Sequence, residues 1–380
     1  MKNVPKLRFS GFFGEWKVSK LGAETTWSSG GTPSKQIESY WGGEIPWISA
    51  SSMRGTRYSD SDLRITESGV SSSKLAVKGD LLLLVRGSML FNKIPVGIAT
   101  RSLAFNQDVK SITPKKSITS EFLLNWFAAS ENKIMNMVSG TGIGAGKLDT
   151  PDMLDMNLHI PSIQEQTKIA DFLTAIDNRI SQLSQKCDGL AQYKKGVMQK
   201  IFSQELRFKD EQGRAFPAWE EKRLGDVLAI GSGKDYKHLD TGDIPVYGTG
   251  GYMLSVNDYL YDGESVCIGR KGTIDKPVFL RGKFWTIDTL FFTHSFNNVI
   301  PKFIYYVFLG IDWKNHNEAS GVPSLSKSTI ETIKLRFPSM KEQEKIAGFL
   351  SAVDEKISHA QAQLAALKQY KQGLLQQMFV

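Results

Sequence analysis

The sequence predicts an α+β chain: two mixed α/β globular domains at opposite ends of an antiparallel two-helix coiled coil. Three observations carry this. Residues 161–202, PSIQEQTKIADFLTAIDNRISQLSQKCDGLAQYKKGVMQKIF, recur as residues 338–379 without a gap, at a constant offset of 177 (338 minus 161). Each copy spaces its apolar residues by alternating steps of four and three. The segments before the two copies repeat the same order of parts. A repeat of this kind reorganises the reading of the whole chain.

Each copy reads as one long helix. Ser162 with Glu165, and Ser339 with Glu342, spell the S-x-x-E capping box, in which the Ser accepts a backbone N–H and the Glu reaches back. The first seam is Ile169, Leu173, Ile176, Ile180, Leu183, Cys187, Leu190, Val197 and Ile201. The second is Ile346, Leu350, Val353, Ile357, Ala360, Leu364, Leu367, Leu374 and Met378. A period of about 3.5 residues held over roughly five heptads marks a coiled coil and not an ordinary surface helix. At about 1.5 Å per residue each helix is roughly 55–60 Å long. Parallel pairing would force the intervening region to travel that length back, so antiparallel pairing is expected. The outer faces are assigned Lys168, Arg179, Lys186 and Lys194, with counterparts Lys345, Lys356 and Lys371.

The remaining boundaries follow. Residues 1–160 form the first domain with its opening segment, 161–203 the first helix, 204–337 the second domain and 338–380 the second helix. Each half opens alike: Leu7-Arg8-Phe9, Trp16 and Leu21-Gly22, then Leu206-Arg207-Phe208, Trp219 and Leu224-Gly225. These openers read as docking segments that bury Phe and Trp against the helices. In the first domain a strand is expected at 80–85 and a helix at 120–137, followed by a flexible glycine-rich loop at 139–147. The second domain echoes it. Ile244-Pro245-Val246 answers Ile45-Pro46-Trp47, and Gly269-Arg270-Lys271-Gly272 answers Val85-Arg86-Gly87. Trp285 and Asp288 answer Phe105 and Asp108. A strand at 265–268 and a helix at 301–309 complete the match. A duplicated frame with diverged faces suits two modules doing one job on two targets.

Composition narrows the class. No apolar run is long enough for a membrane span, and MKNVPKLRFSG lacks the apolar core of a secretory leader, so a cytoplasmic protein is expected. Two cysteines, Cys187 and Cys267, give neither a disulfide framework nor a metal pair. The net charge of +8 favours an acidic partner, nucleic acid above all.

No catalytic constellation is present. The loop at 140–147 departs from the phosphate-binding loop in glycine spacing, and Leu148 stands where a magnesium-binding hydroxyl is needed. The five histidines are scattered, with no HExxH and no G-x-S-x-G nearby. No Asn-Pro-Pro-aromatic tetrapeptide of adenine methyltransferases occurs. Asp108 and Asp288 read as turn residues, not general bases. The informative side chains are polar and basic ones on loops. In the first domain these are Lys35, Gln36, Arg54, Arg57, Arg86, Asn92, Lys93, Asn106, Gln107 and Lys147. In the second they are Lys234, Lys237, Arg270, Lys271 and Lys327. Lys and Arg neutralise phosphates, Arg can grip guanine through two hydrogen bonds, and Asn or Gln can do the same for adenine.

At this point the chain resembles the DNA-specificity subunits of type I restriction–modification systems. The residues that carry the resemblance are the L-R-F…W…L-G openers, G-G-T-P with I-P-W-I, F-N-Q-D, and the P-S-x-x-E-Q-x-x-I start of each helix. The resemblance implies two target-recognition domains, each reading half of a split double-stranded DNA site. It implies helices that set the gap and bind two modification subunits, with Ile169, Leu173, Ile176, Ile180, Leu183, Leu190, Ile346, Leu350, Val353, Ile357, Leu364 and Leu367 as the coiled-coil and partner-binding set. It places S-adenosylmethionine and adenine methylation on the modification subunits, and ATP and Mg with translocation and cleavage on restriction subunits where a system has them. No cofactor is expected on this chain. Two other classes remain open: a free-standing methyltransferase, which would need the missing cofactor and catalytic motifs, and a coiled-coil scaffold that binds only protein. The target sequence, the gap and the presence of a restriction subunit are not written in these residues.

Overall fold

Two helices of 40 and 39 residues, Ile163–Phe202 and Met340–Met378, occupy the duplicated segments. The computed structural model describes residues 3–142 and 144–380. It divides into two units, Met1–Leu183 with Gln363–Val380, and Ser184–Ala362. Each unit therefore holds part of both long helices.

Within each unit the helices run antiparallel, as expected. In the first, Ile169, Leu173 and Ile176 share a core with Leu374, Leu375 and Met378. In the second, Met198 and Ile201 share a core with Ile346, Ala347 and Leu350. Lys371 bridges to Asp177 at 2.6 Å in the first unit, and Lys194 bridges to Asp354 at 2.6 Å in the second. Both members of the one pair lie 177 residues from their counterparts in the other, so the repeat reproduces its cross-helix contact in both units. The expectation that Lys194 and Lys371 lie on outer faces is thus corrected: their ammonium groups are drawn inward by these carboxylates. Lys345 is also engaged, donating to the Lys209 carbonyl at 2.8 Å.

The openers dock as expected, on a clamp that spacing alone did not show. Ser162 Oγ accepts from the Glu165 N–H at 3.3 Å, half of a capping box. The Glu165 carboxylate does not reach back; it takes two hydrogen bonds from Arg8, at 2.7 and 2.8 Å. Glu342 likewise takes Arg207, at 3.0 and 2.7 Å, and the Trp219 indole N–H at 3.1 Å. Both glutamates are buried, and a buried carboxylate holds a guanidinium far more firmly than it holds a lone cap N–H. The next residue is a second tie. Gln166 accepts from the Thr119 N–H at 2.8 Å and donates to the Ser117 and Pro161 carbonyls. Gln343 accepts from the Ile300 N–H at 3.0 Å and donates to the Asn298 and Pro338 carbonyls. Thr119 and Ile300 cap the helices Ser120–Ala129 and Pro301–Gly310. So the E-Q pair fixes each domain to the start of its long helix. Phe9 packs on Phe172 and Phe208 on Phe349, both at 5.6 Å between centroids. The strand Lys17–Lys20 pairs with Asn157–Ile160, and Glu220–Arg223 with Lys334–Phe337.

The first domain has a five-stranded sheet in the order Thr25–Ser29, Val109–Pro114, Leu81–Leu84, Val96–Ala99, Arg57–Tyr58, and a four-stranded one, Arg64–Ile65, Trp41–Ile48, Leu103–Phe105, Lys74–Ala76. The expected strand at 80–85 is Leu81–Leu84, four fully buried leucines preceded by a buried Asp80 that caps the turn and accepts from Ser111 and Thr113. The expected helix at 120–137 breaks at Ser130 into Ser120–Ala129 and Glu131–Met135. The two ends of the glycine-rich loop are strands: Ser139–Gly140 pairs with Gly146–Lys147, which pairs with Arg86–Gly87. Ile143 lies outside the described residues. In the second domain one six-stranded sheet runs Ala229–Ser232, Leu290–His294, Tyr261–Gly269, Val278–Thr286, Thr241–Gly248, Gly251–Val256.

The echo between the domains is displaced by one residue. Phe105 pairs in parallel with Ile48, and Thr286 with Tyr247; both partners lie two residues past the shared proline. The Val85 N–H donates to the Asp108 carbonyl at 2.8 Å, and the Arg270 N–H to the Thr289 carbonyl at 2.7 Å. Thr286 and Thr289, not Trp285 and Asp288, are therefore the counterparts of Phe105 and Asp108, and Lys271, not Arg270, is that of Arg86. A single-residue slip reverses which sheet face a side chain occupies, and short motifs carry no register of their own to show it.

Candidate nucleic-acid interface

The expected contact residues fall into a few clusters on loops and strand ends. In the first domain Arg86 lies directly across from Lys147 in the small sheet. Gly146 lies against the turn Ser88–Phe91: a Cβ on it would lie 3.0 Å from the Leu90 Cβ. Exposed Asn92 and Lys93 follow that turn, beside an exposed Phe91. Lys147 also bridges to Asp149 at 2.5 Å. A second cluster holds Arg54 and Arg57, which line one hollow with Ser52, Asp60, Ser61 and Asp62. Arg57 is already paired with Glu121 at 2.5 Å. A third lies around Lys35 and Gln36, both exposed. Lys35 lines an open hollow with Glu38, Trp41 and Leu63, and Gln107 Oε1 accepts from the Thr32 hydroxyl at 2.6 Å.

Asn106 is a correction. It is 7% exposed, donates to Asp108 at 3.3 Å and accepts from the Asp108 N–H at 3.1 Å. Its amide closes a turn and cannot read a base. The turn assignment of Asp108 agrees with this geometry.

In the second domain Arg270, Lys271 and Lys327 converge on one hollow with Ser232, Ser324, Ser326 and Glu318. Glu318 accepts from Ser326 Oγ at 2.7 Å and from Thr329 Oγ1, and hydrogen bonds from these two hydroxyls hold its carboxyl below the usual range. Three cations and one fixed carboxylate offer donors and an acceptor in one place, the mixture that a base edge requires. Lys234 and Lys237 are exposed on the adjoining loop. That loop is pinned by the Lys234 N–H on the Thr286 carbonyl at 2.9 Å and by the Trp285 indole on the Lys234 carbonyl at 2.8 Å. Tyr252 and Met253, outside the expected set, are 62% and 46% exposed just past the Thr249-Gly250 turn. Two glycines between apolar strands were the available signal.

The helix set is placed differently from a partner surface. Ile169, Leu173, Ile176, Leu183, Ile346, Leu350 and Val353 are buried, while Ile180, Leu190, Ile357, Leu364 and Leu367 are half-buried. Ile169, Leu173, Ile176, Ile346 and Leu350 lie in the cores of this chain, so they are not free to contact a second protein. Among the described residues no helix is long and apolar enough to cross a membrane.

Comparison with known proteins matches this arrangement. The family model described as type I restriction modification DNA specificity domain matches twice, at residues 14–189 and 218–369. Each match takes in a domain and much of its long helix. The type I restriction enzyme MjaIX specificity subunit of Methanocaldococcus jannaschii is 27% identical over 95% of this chain and 92% of that relative. A crystal structure of the S subunit of a type I restriction–modification system from M. genitalium superposes with a TM-score of 0.65 at 18% identity, over 99% of both chains. A structure from work on assembly and conformational transition of the type I R-M system gives 0.60 at 13% identity, over 97% of this chain and 98% of that one. At these identities the two structures speak for the fold.

Proposed function

This chain belongs to the family of type I restriction–modification DNA-specificity subunits, and on that premise we propose that it reads a bipartite, asymmetric double-stranded site. Each globular domain takes one half-site. The long helices set the gap and carry two modification (methyltransferase) subunits. Methylation, with S-adenosylmethionine, belongs to those subunits; ATP- and Mg-dependent cleavage belongs to restriction subunits where the system has them. This chain contributes recognition and no catalysis.

The observation that carries the reading is the contrast within the repeat. The clamps Arg8–Glu165 and Arg207–Glu342 and the cross-helix pairs Asp177–Lys371 and Lys194–Asp354 recur. The loop faces diverge: Lys271 answers Arg86, yet Ser324 stands across from it where Lys147 stands across from Arg86. One frame bearing two different faces fits one task on two unlike half-sites. Arg86, Lys147, Arg270 and Lys271 are the contacts we favour, because they sit on ordered strand ends where their positions are fixed before DNA arrives.

The test is an exchange. Residues 22–160 are replaced by the matching region of a relative, and methylated adenines are mapped after assembly with modification subunits. One half-site changes and the other stays. A change in both halves would show that the domains do not read independently.

A further inference from the structure

Most residues that the two long helices share are explained inside the chain. Ile169, Leu173 and their counterparts fill cores; Glu165 and Gln166 hold the openers and domains; Asp177 and Lys194 bridge helices. One group is not explained this way. Gln192, Tyr193, Gly196 and Gln199 recur as Gln369, Tyr370, Gly373 and Gln376. Tyr193 and Tyr370 are 52% and 55% exposed, and all four glutamines are exposed. Among the described residues none of these side chains makes a hydrogen bond.

The glycines are the sharper observation. Gly196 and Gly373 lie in helix interiors, neither has a positive φ, and a Cβ on either would meet nothing within 4 Å. Glycine is less favourable than alanine at such positions, so neither backbone conformation nor packing within the chain accounts for it. Two other helix glycines in open space, Gly189 and Gly348, have Ala366 and Asp171 as counterparts. They are free to vary; Gly196 and Gly373 match. Gln192, Gly196 and Gln199 follow i, i+4, i+7 spacing, so they share a face, and Tyr193 flanks the glycine at i−3.

We infer that these are two copies of one docking patch, each taking one modification subunit, whose surface approaches the helix backbone at the glycine and hydrogen-bonds to the Gln and Tyr groups. The inference rests on the proposed docking of two such subunits. Recurrence selects this occupant: what binds both patches is the same object twice, whereas unlike half-sites would be different objects. DNA is further disfavoured because the cation that recurs beside the patch, Lys194 or Lys371, is committed to Asp354 or Asp177.

The purified modification subunit of the same system is titrated onto the full chain and onto Gly196→Ala, Gly196→Trp, Tyr193→Ala and their counterparts, with mass and affinity measured. Gly196→Ala should raise the melting temperature of the chain alone and weaken one of the two binding events at least tenfold. Gly196→Trp should leave one partner bound, and Gly196→Trp with Gly373→Trp none. Two partners bound with unchanged affinity by the double Trp variant would overturn the patch while leaving the parent reading intact. A fall in melting temperature in both alanine variants would overturn it too, by giving the glycines a structural role. An unaltered chain that binds no modification subunit would instead defeat the parent reading.

Discussion

The two units use the same clamp and close it to different degrees. In the second, Arg207 and the Trp219 indole both converge on Glu342. In the first, Arg8 alone reaches Glu165, and the Trp16 indole nitrogen is buried with no partner among the described residues. A buried carboxylate stripped of its guanidinium is costly, so the ion pair persists in both copies. A single neutral donor is a smaller matter, so its partner can drift. Both units keep the ion pair, while the indole contact is made in only one of them.

The largest expected effect comes from changing the helices that both units share. Deleting residues 180–186 and 357–363, one heptad from each helix, keeps the apolar register and shortens each helix by about 10 Å. That corresponds to about three base pairs of DNA and roughly a hundred degrees of groove rotation. Methylation of a library with fixed half-sites and variable gaps should be weak or lost, with any residual activity at a shorter gap. Full activity at the original gap would remove the helices as the ruler. Deleting four residues from one helix should be worse, because it breaks the seam.

The clamps come next. Glu342→Ala and Glu165→Ala should each cost about 2–3 kcal/mol, because the charge-assisted bonds are lost but the part-exposed Arg207 and Arg8 keep their backbone-carbonyl acceptors. The Glu342 variant should lose about 1 kcal/mol more, for the Trp219 hydrogen bond. Hydrogen exchange resolved by unit reads both, and equal losses would show that the Trp219 contact adds nothing.

A pH effect should mark the first unit. Glu24 is buried where the second unit has Val227, and the hydrogen bonds from Lys17, at 2.8 Å, and Ser117 hold its carboxyl down at about 2. A depressed carboxylate stabilises above its unfolded value near 4.5 and loses that contribution as pH falls through about 2. Lys17 is 65% exposed, so screening limits the effect to about 1–2 kcal/mol. Glu24→Gln should flatten that part of the acid-unfolding profile of the first unit; an unchanged profile would remove Glu24 as the source.

The smallest expected difference separates the cross-helix pairs. Asp354 also accepts from the Tyr306 hydroxyl at 2.8 Å. Asp354→Asn should therefore cost about 1 kcal/mol and Asp177→Asn about half that. Denaturant titrations in low and high salt would show the Asp177 variant converging on the unaltered chain first.

The sequence by itself determined the repeat, both long helices, their antiparallel pairing and the docked openers. These rest on periodicity, register and chain connectivity, which are properties of the chain read along its length. Only the tertiary structure decided where polar groups find partners. It sent Glu165 and Glu342 to arginines of the openers instead of to their own caps, turned Lys194 and Lys371 inward, sealed Asn106 into a turn and shifted the second domain's echo by one residue. A polar side chain on a loop has no period to betray its direction. Arg8 and Glu165 are 157 residues apart, and the two meet only once the apolar residues have brought their segments together.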